Sequence, residues 1–191
     1  MYRIIFKKVA LTGKVTVLGQ QNQVIAYAHQ KLLKIKEKVI FYQDSSRSQE
    51  IGVINADKMI DYNVSYSLTG VDGSLQYQLR RKGRASIWKA NYQILDANDQ
   101  ELYQIREKNP WAKVMDSIAR EIPFVGIFTG YIFHVKYGLF DQSNQEVAEI
   151  VKQPGFFESS FNINTLGGSG ILSVETLELI VMMLIRERAR S

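Results

Sequence analysis

Near the C-terminus the sequence reads Leu177-Glu-Leu-Ile-Val-Met-Met-Leu-Ile185, eight large apolar side chains interrupted only by Glu178. Wound into a helix, this run leaves no polar stripe, so nearly its whole circumference has to be enclosed. Both ends are marked. Ser173 suits an N-cap, Glu175 falls in the first turn, and Arg186, Arg188 and Arg190 follow where a helix C-terminus favours positive charge. A bilayer and a protein core could each enclose such a helix, and length separates them. Val174 to Ile185 spans about 18 Å at ~1.5 Å per residue, short of a hydrocarbon core of about 30 Å. Burying eight such side chains in protein is worth on the order of 10 to 25 kcal/mol, as an upper bound. The segment therefore predicts a central helix on which the rest of the chain packs.

The rest reads as antiparallel β-structure. Through residue 108 apolar and polar side chains alternate with period two, broken by turn residues. Lys14 to Leu18 pairs with Val24 to His29, and Val39 to Tyr42 with Ile51 to Ala56. Tyr62, Val64, Tyr66 and Leu68 lead through Asp72-Gly73 to Leu75, Tyr77 and Leu79, and Ala85 to Leu95 pairs with Glu101 to Glu107. A repeat is visible as well. Ile94 to Lys108 aligns without gaps on Leu139 to Gln153, matching Asp96 with Asp141, Gln100 with Gln145, Glu101 with Glu146 and Ile105 with Ile150; a looser copy runs from Phe41 through Asp44 to Ile54. Aspartate leads each turn because its carboxylate can accept backbone N–H bonds there. Repeated hairpins predict a meander that closes on itself, since closure removes exposed strand edges.

Between the two best copies, Asn109-Pro110-Trp111 opens an amphipathic helix, with Trp111, Val114, Met115, Ile118, Ala119 and Ile122 on one face and Pro123 at its end. Phe124 to Val135 reads as a loop plus a buried strand, Glu158 to Asn164 as a strand, and Gly167-Gly168-Ser169-Gly170 as a hinge into the helix. The 191 residues, 46% hydrophobic and 11% aromatic, are read as one domain with ample core. No cysteine is present, which excludes disulfides, thiolate chemistry and zinc–cysteine sites. The N-terminus breaks into charge after Ile4-Ile5-Phe6 and builds no signal-peptide core, so a cytoplasmic protein, at most peripheral to a membrane, is expected.

About a dozen short strands in hairpins, one inserted helix and an apolar C-terminal helix together resemble the Tubby C-terminal-like superfamily. Within it the chain is most similar to the LURP-one-related and phospholipid scramblase-like proteins. The resemblance is carried by Tyr92-Gln-Ile-Leu-Asp96, Tyr137-Gly-Leu-Phe-Asp141, Lys14-Val-Thr-Val-Leu18 and Leu177 to Ile185. It implies a closed β-barrel of about twelve strands surrounding the C-terminal helix. It also implies a non-enzymatic module whose relatives bind phosphoinositides through surface lysines and arginines, or associate with lipid movement and calcium.

The chemistry-bearing residues point the same way. His29 and His134 each lie on an expected strand with no further ligand at close spacing, so a structural role is expected. Asp96, Glu101, Asp141 and Glu146 recur at matching turn positions, which marks a structural motif rather than an acid–base pair. Asp141, Asn144 and Glu146 fall short of a calcium loop in ligand number and spacing. The glycines before the final helix lack the Lys-Ser/Thr of a phosphate loop. No catalytic residue, metal or cofactor is expected.

Twenty-four Lys and Arg against 19 Asp and Glu give a net charge of +5, which permits attraction to anionic surfaces. Two basic groups are the anion- or lipid-binding candidates. Arg80, Arg81, Lys82 and Arg84 form a compact cluster at an expected turn, and Lys34, Lys36 and Lys38 line one strand face. The expected partner is an anionic phospholipid surface or another protein, and no nucleic-acid motif is present. The alternatives are a small-ligand carrier or enzyme with a cleft at the barrel mouth, or a scramblase-like membrane-associated protein.

Overall fold

Period-two alternation becomes twelve antiparallel strands in a computed structural model. It describes residues 1–9, 12–31, 38–56, 64–82, 89–109, 135–155, 158–167 and 170–189. The strands are β1 (Tyr2–Val9), β2 (Thr12–Leu18), β3 (Val24–Lys31), β4 (Lys38–Tyr42), β5 (Glu50–Ala56), β6 (Ser65–Thr69), β7 (Leu75–Arg81), β8 (Asn91–Asp96), β9 (Glu101–Glu107), β10 (Lys136–Phe140), β11 (Glu146–Gln153) and β12 (Glu158–Thr165). Each pairs with its neighbours in sequence, and β12 returns to pair with β1, closing the barrel. At the seam Ile4 stands opposite both Val17 of β2 and Phe161 of β12. Closure gives each described strand a neighbour on both sides. The expected helix over 111–122, residues 124–134 of the expected loop and strand, His134 among them, and the centre of the expected hinge lie outside the described residues.

The C-terminal helix, α1 (Val174–Arg188), runs inside this barrel and packs against β3, β7 and β8. Its N-cap is as expected: Ser173 Oγ accepts from the Thr176 N–H at 3.2 Å. Leu177, Leu179, Ile180, Val181, Met183 and Leu184 are completely enclosed. They meet the inward side chains of the wall, among them Ile4, Phe41, Ile54, Leu68, Leu79, Ile94, Ile105, Leu139, Ile150 and Ile163. The link into α1 is pinned to the first strand, where the Leu172 N–H donates to the Tyr2 hydroxyl at 3.1 Å.

The hairpin repeat is more regular than the sequence showed. Gly19, Gly70, Asp96 and Asp141 each donate their N–H to the carbonyl four residues on. Each carbonyl accepts from the residue three on, namely Asn22, Gly73, Asp99 and Asn144. Those four residues have φ between 60° and 79°. This is a type I turn completed by a left-handed residue, and such loops carry a bulge. One register shift precedes each turn, at Val17/Leu18, Leu68/Thr69, Ile94/Leu95 and Leu139/Phe140, and a fifth at Phe41/Tyr42 precedes the longer turn with Arg47. Aspartate acts as expected: Asp96 Oδ1 accepts from the Asn98 and Gln100 N–H groups, each at 2.8 Å, and Asp141 Oδ1 from Gln145 at 2.9 Å.

Because strand direction alternates, all five turns fall at the end where α1 begins. We call this the turn end, and the opposite end, where α1 finishes, the mouth.

Candidate functional site

The two ends differ in charge. The five hairpin turns carry Asp44, Asp72, Asp96, Asp99 and Asp141 against Arg47 alone. At the mouth, Lys38 and Lys136 open β4 and β10, Arg81, Lys82 and Lys89 stand where β7 ends and β8 approaches, and Arg186 and Arg188 occupy the last turn of α1. Glu107, Glu158 and Glu187 are the acidic side chains there among the described residues. Cations at that position also complement the negative end of the helix dipole.

Strand β7 runs into the described part of the expected cluster at 80–84. β7 continues through Arg81, so Arg80 and Arg81 point to opposite sides of the wall. Arg80 is on the outside, its Nη2 2.7 Å from Asp99 Oδ1. Arg81 is inside and only 7% exposed. Lys82 follows, half-buried, with its backbone N–H bonded to the Asn91 carbonyl at 2.9 Å. Lys38 is exposed, three strands round the barrel, about 14 Å away at a spacing of ~4.8 Å per strand. Arg84, Lys34 and Lys36 lie outside the described residues.

Within the mouth is a polar cluster that the sequence reading missed. Glu187, 4% exposed, accepts the Tyr92 hydroxyl on Oε1 at 2.8 Å, and the same oxygen lies 3.8 Å from Arg81 Nη2. The Arg81 guanidinium also lies 5.8 Å from the centre of the Tyr92 ring. Glu107, 7% exposed, accepts the Ala90 N–H on Oε2 at 2.9 Å. Burial, then the Glu187 carboxylate, holds the Tyr92 hydroxyl well above its ordinary pKa; burial, then Glu187 and Glu107, does the same for Tyr137. Tyr66 is raised chiefly by burial, against the opposing pull of Arg186 and Arg81. Arg188 lies 4.3 Å from the Phe6 ring, and burial lowers its pKa.

One signal pointed to this cluster. Glu187 continues the helical face of Ile180, Met183 and Leu184, all of which are enclosed, so a carboxylate in register with them had to face inward.

The remaining candidates serve the wall. Glu146 and Glu149 share the Lys108 ammonium, with each closest approach 3.0 Å, and these carboxylates raise the lysine pKa. Asn144 accepts from Arg106, whose guanidinium stacks 3.7 Å above the Phe140 ring. Glu101 accepts from Gln93 and Gln104. Among the described residues no group of three or more His, Cys, Asp or Glu side chains converges to hold a metal, and no helix is long and apolar enough to cross a membrane. The chain matches no family model and no curated protein.

Proposed function

We propose that this protein is a non-enzymatic, Tubby-like binding module that docks mouth-first on an anionic membrane surface. The observation that carries the reading is the charge asymmetry along the barrel axis among the described residues, with aspartates at the turn end and lysines and arginines at the mouth. A dipolar body of this kind is oriented by an anionic surface before contact, and each Lys or Arg near such a surface contributes about 1 kcal/mol. The exposed ammonium of Lys38 and the half-buried Lys82 are its described surface contacts, together with Lys89 and Lys136. The filled interior speaks against a carrier that holds its ligand along the barrel axis, because α1 side chains already occupy the core.

Flotation with phosphatidylserine vesicles at low and high salt tests the reading. Binding should fall as salt rises, and Lys38→Ala combined with Lys82→Ala should weaken it roughly 30-fold, about 2 kcal/mol. Equal binding to neutral vesicles, or indifference to both lysines, would remove the reading of a basic mouth docked on an anionic surface.

A further inference from the structure

The turn end gathers the large apolar side chains that the barrel leaves in water. Among the described residues Met1, Val24, Val71, Leu75, Leu166 and Ile171 are the exposed ones, and all of them lie at that end. Two are held out by their backbone. Val71 sits at the tip of a hairpin, in the turn closed by the Gly70 N–H on the Ser74 carbonyl and by the left-handed Gly73, and is 72% exposed. Leu172 is drawn inward and pinned to the Tyr2 hydroxyl, which leaves Ile171 beside it 83% exposed. Scattered singly, such side chains need no explanation. Here they follow one arc of the rim, from Leu166 beyond β12 through Val24 on β3 to Val71 and Leu75 at β7. Carboxylates stand among them, Asp44 in the turn between β4 and β5 and Asp72 next to Val71. Each is fixed by its own turn: Asp44 Oδ1 accepts the Ser46 N–H at 2.8 Å, and Asp72 Oδ1 accepts the Ser74 hydroxyl at 2.7 Å and its N–H at 3.0 Å. The hydroxyl, then the N–H, of Ser46 and of Ser74 hold these carboxyls below their ordinary pKa, so both are charged and already ordered.

We propose that the turn end is an interaction surface for a different protein, one that sets apolar side chains on Val71, Leu75 and Ile171 and flanking lysines or arginines on Asp44 and Asp72. Charge complementarity selects that occupant. An anionic bilayer is repelled by the aspartates. A second copy meeting turn end to turn end brings two acidic rims together, and the mouth of a second copy, though basic, shows no exposed large apolar side chain among the described residues. Apolar contact gives such an interface its driving force, and fixed charges at its rim give it selectivity. The inference goes beyond membrane docking and does not depend on it. The two surfaces lie at opposite ends, so a barrel seated by its mouth holds this one toward solvent.

The probe is a synthetic amphipathic peptide of leucine and lysine, with a control peptide in which glutamate replaces every lysine. Each is titrated without lipid into the full chain labelled with nitrogen-15, and backbone amide signals are followed at both ends. The lysine peptide should shift Val71, Asp72 and Ile171 saturably and leave Lys82, Lys89 and Lys136 unmoved. Val71→Ser combined with Ile171→Ser should weaken binding about tenfold. Asp44→Asn combined with Asp72→Asn keeps the acceptors of both turns and should weaken it by a similar factor while flattening its salt dependence. All four positions are exposed, and unchanged spectra at the mouth verify that the variants keep the fold. No saturable shift at the turn end, equal binding of the glutamate peptide, or binding indifferent to both double variants overturns the proposal. Sedimentation of the protein alone supplies the remaining arm: a dimer abolished by Val71→Ser with Ile171→Ser would assign the surface to a second copy and overturn it as well. Because no vesicle is present, failure here leaves mouth-first docking standing, and loss of vesicle binding leaves this surface standing.

Discussion

The carboxyl group of Glu178 occupies the space that a side chain on Gly52 would fill: a Cβ placed on Gly52 would stand 2.8 Å from Glu178 Oε2 and 3.1 Å from Leu68 Cδ1. Gly52 is an inward position of β5, opposite Phe41 of β4 and two residues before Ile54, so the wall around this carboxyl is apolar. Glu178 is 2% exposed and its Oε1 has no hydrogen-bond partner among the described residues. Burial, then the nearby Glu175 charge, pushes its pKa up to about 8. The single acid in the apolar run is thus carried into the core as a neutral group.

A pH dependence of stability follows. The unfolded chain releases this proton above about pH 4.5, while the folded chain holds it until about pH 8. The folded state is therefore the one that binds more protons across that window, and its stability falls as pH rises from about 4.5 to about 8 and levels off beyond. At ~1.4 kcal/mol per pKa unit the ceiling is on the order of 5 kcal/mol. Urea unfolding of the wild type and of Glu178→Gln at pH 5 and pH 8.5 checks this. The wild type should lose several kcal/mol relative to the variant, and parallel curves would contradict it.

Gly52→Ala should destabilise the barrel by about 1 to 3 kcal/mol through overpacking against the carboxyl and Leu68. In a Glu178→Ala background, where the carboxyl is gone, the same substitution should cost clearly less. A double-mutant cycle of chemical denaturation reads the coupling directly, and additive effects would mean that the two residues do not share the space.

Adjacent arginines should behave differently. Arg81→Ala removes the partner of a buried carboxylate and is expected to cost about 3 to 5 kcal/mol. Arg80→Ala breaks a solvent-exposed pair with Asp99 and should cost less than about 1 kcal/mol. Thermal or urea denaturation of the two single variants is sufficient to separate them.

The turn aspartates should each contribute at their equivalent positions, Asp96 through two accepted bonds and Asp141 through one. Asp96→Ala and Asp141→Ala each remove carboxylate acceptance of turn N–H groups, for an expected loss of about 0.5 to 1.5 kcal/mol apiece. Activity-independent stability measurements suffice, and a large loss at one site alone would break the equivalence of the repeats.

Most of the architecture was legible because it is written in period. The enclosed face of Leu177 to Ile185 predicted a central helix, and the gapless match of Asp96 with Asp141 predicted repeated hairpins. The repeat extends to Gly19 and Gly70, whose turns have the same hydrogen bonds without a leading aspartate, so residue matching could not find them. The site was less legible. Arg80 to Lys82 read as one cluster by proximity in sequence, although the alternation of Tyr77 and Leu79 already placed Arg81 in phase with the core. Glu187 and Tyr92 are 95 residues apart, and only strand register and helix placement bring them together.

The most direct test of mouth-first docking exploits the absence of cysteine, which allows one introduced thiol to carry one fluorophore. Val71→Cys labels an exposed position in a hairpin at the turn end, and Lys89→Cys an exposed position at the mouth. With anionic vesicles containing nitroxide lipids, the label at residue 89 should be quenched and the label at residue 71 should not. Quenching at residue 71, or none at either position while the protein is bound, would contradict the account.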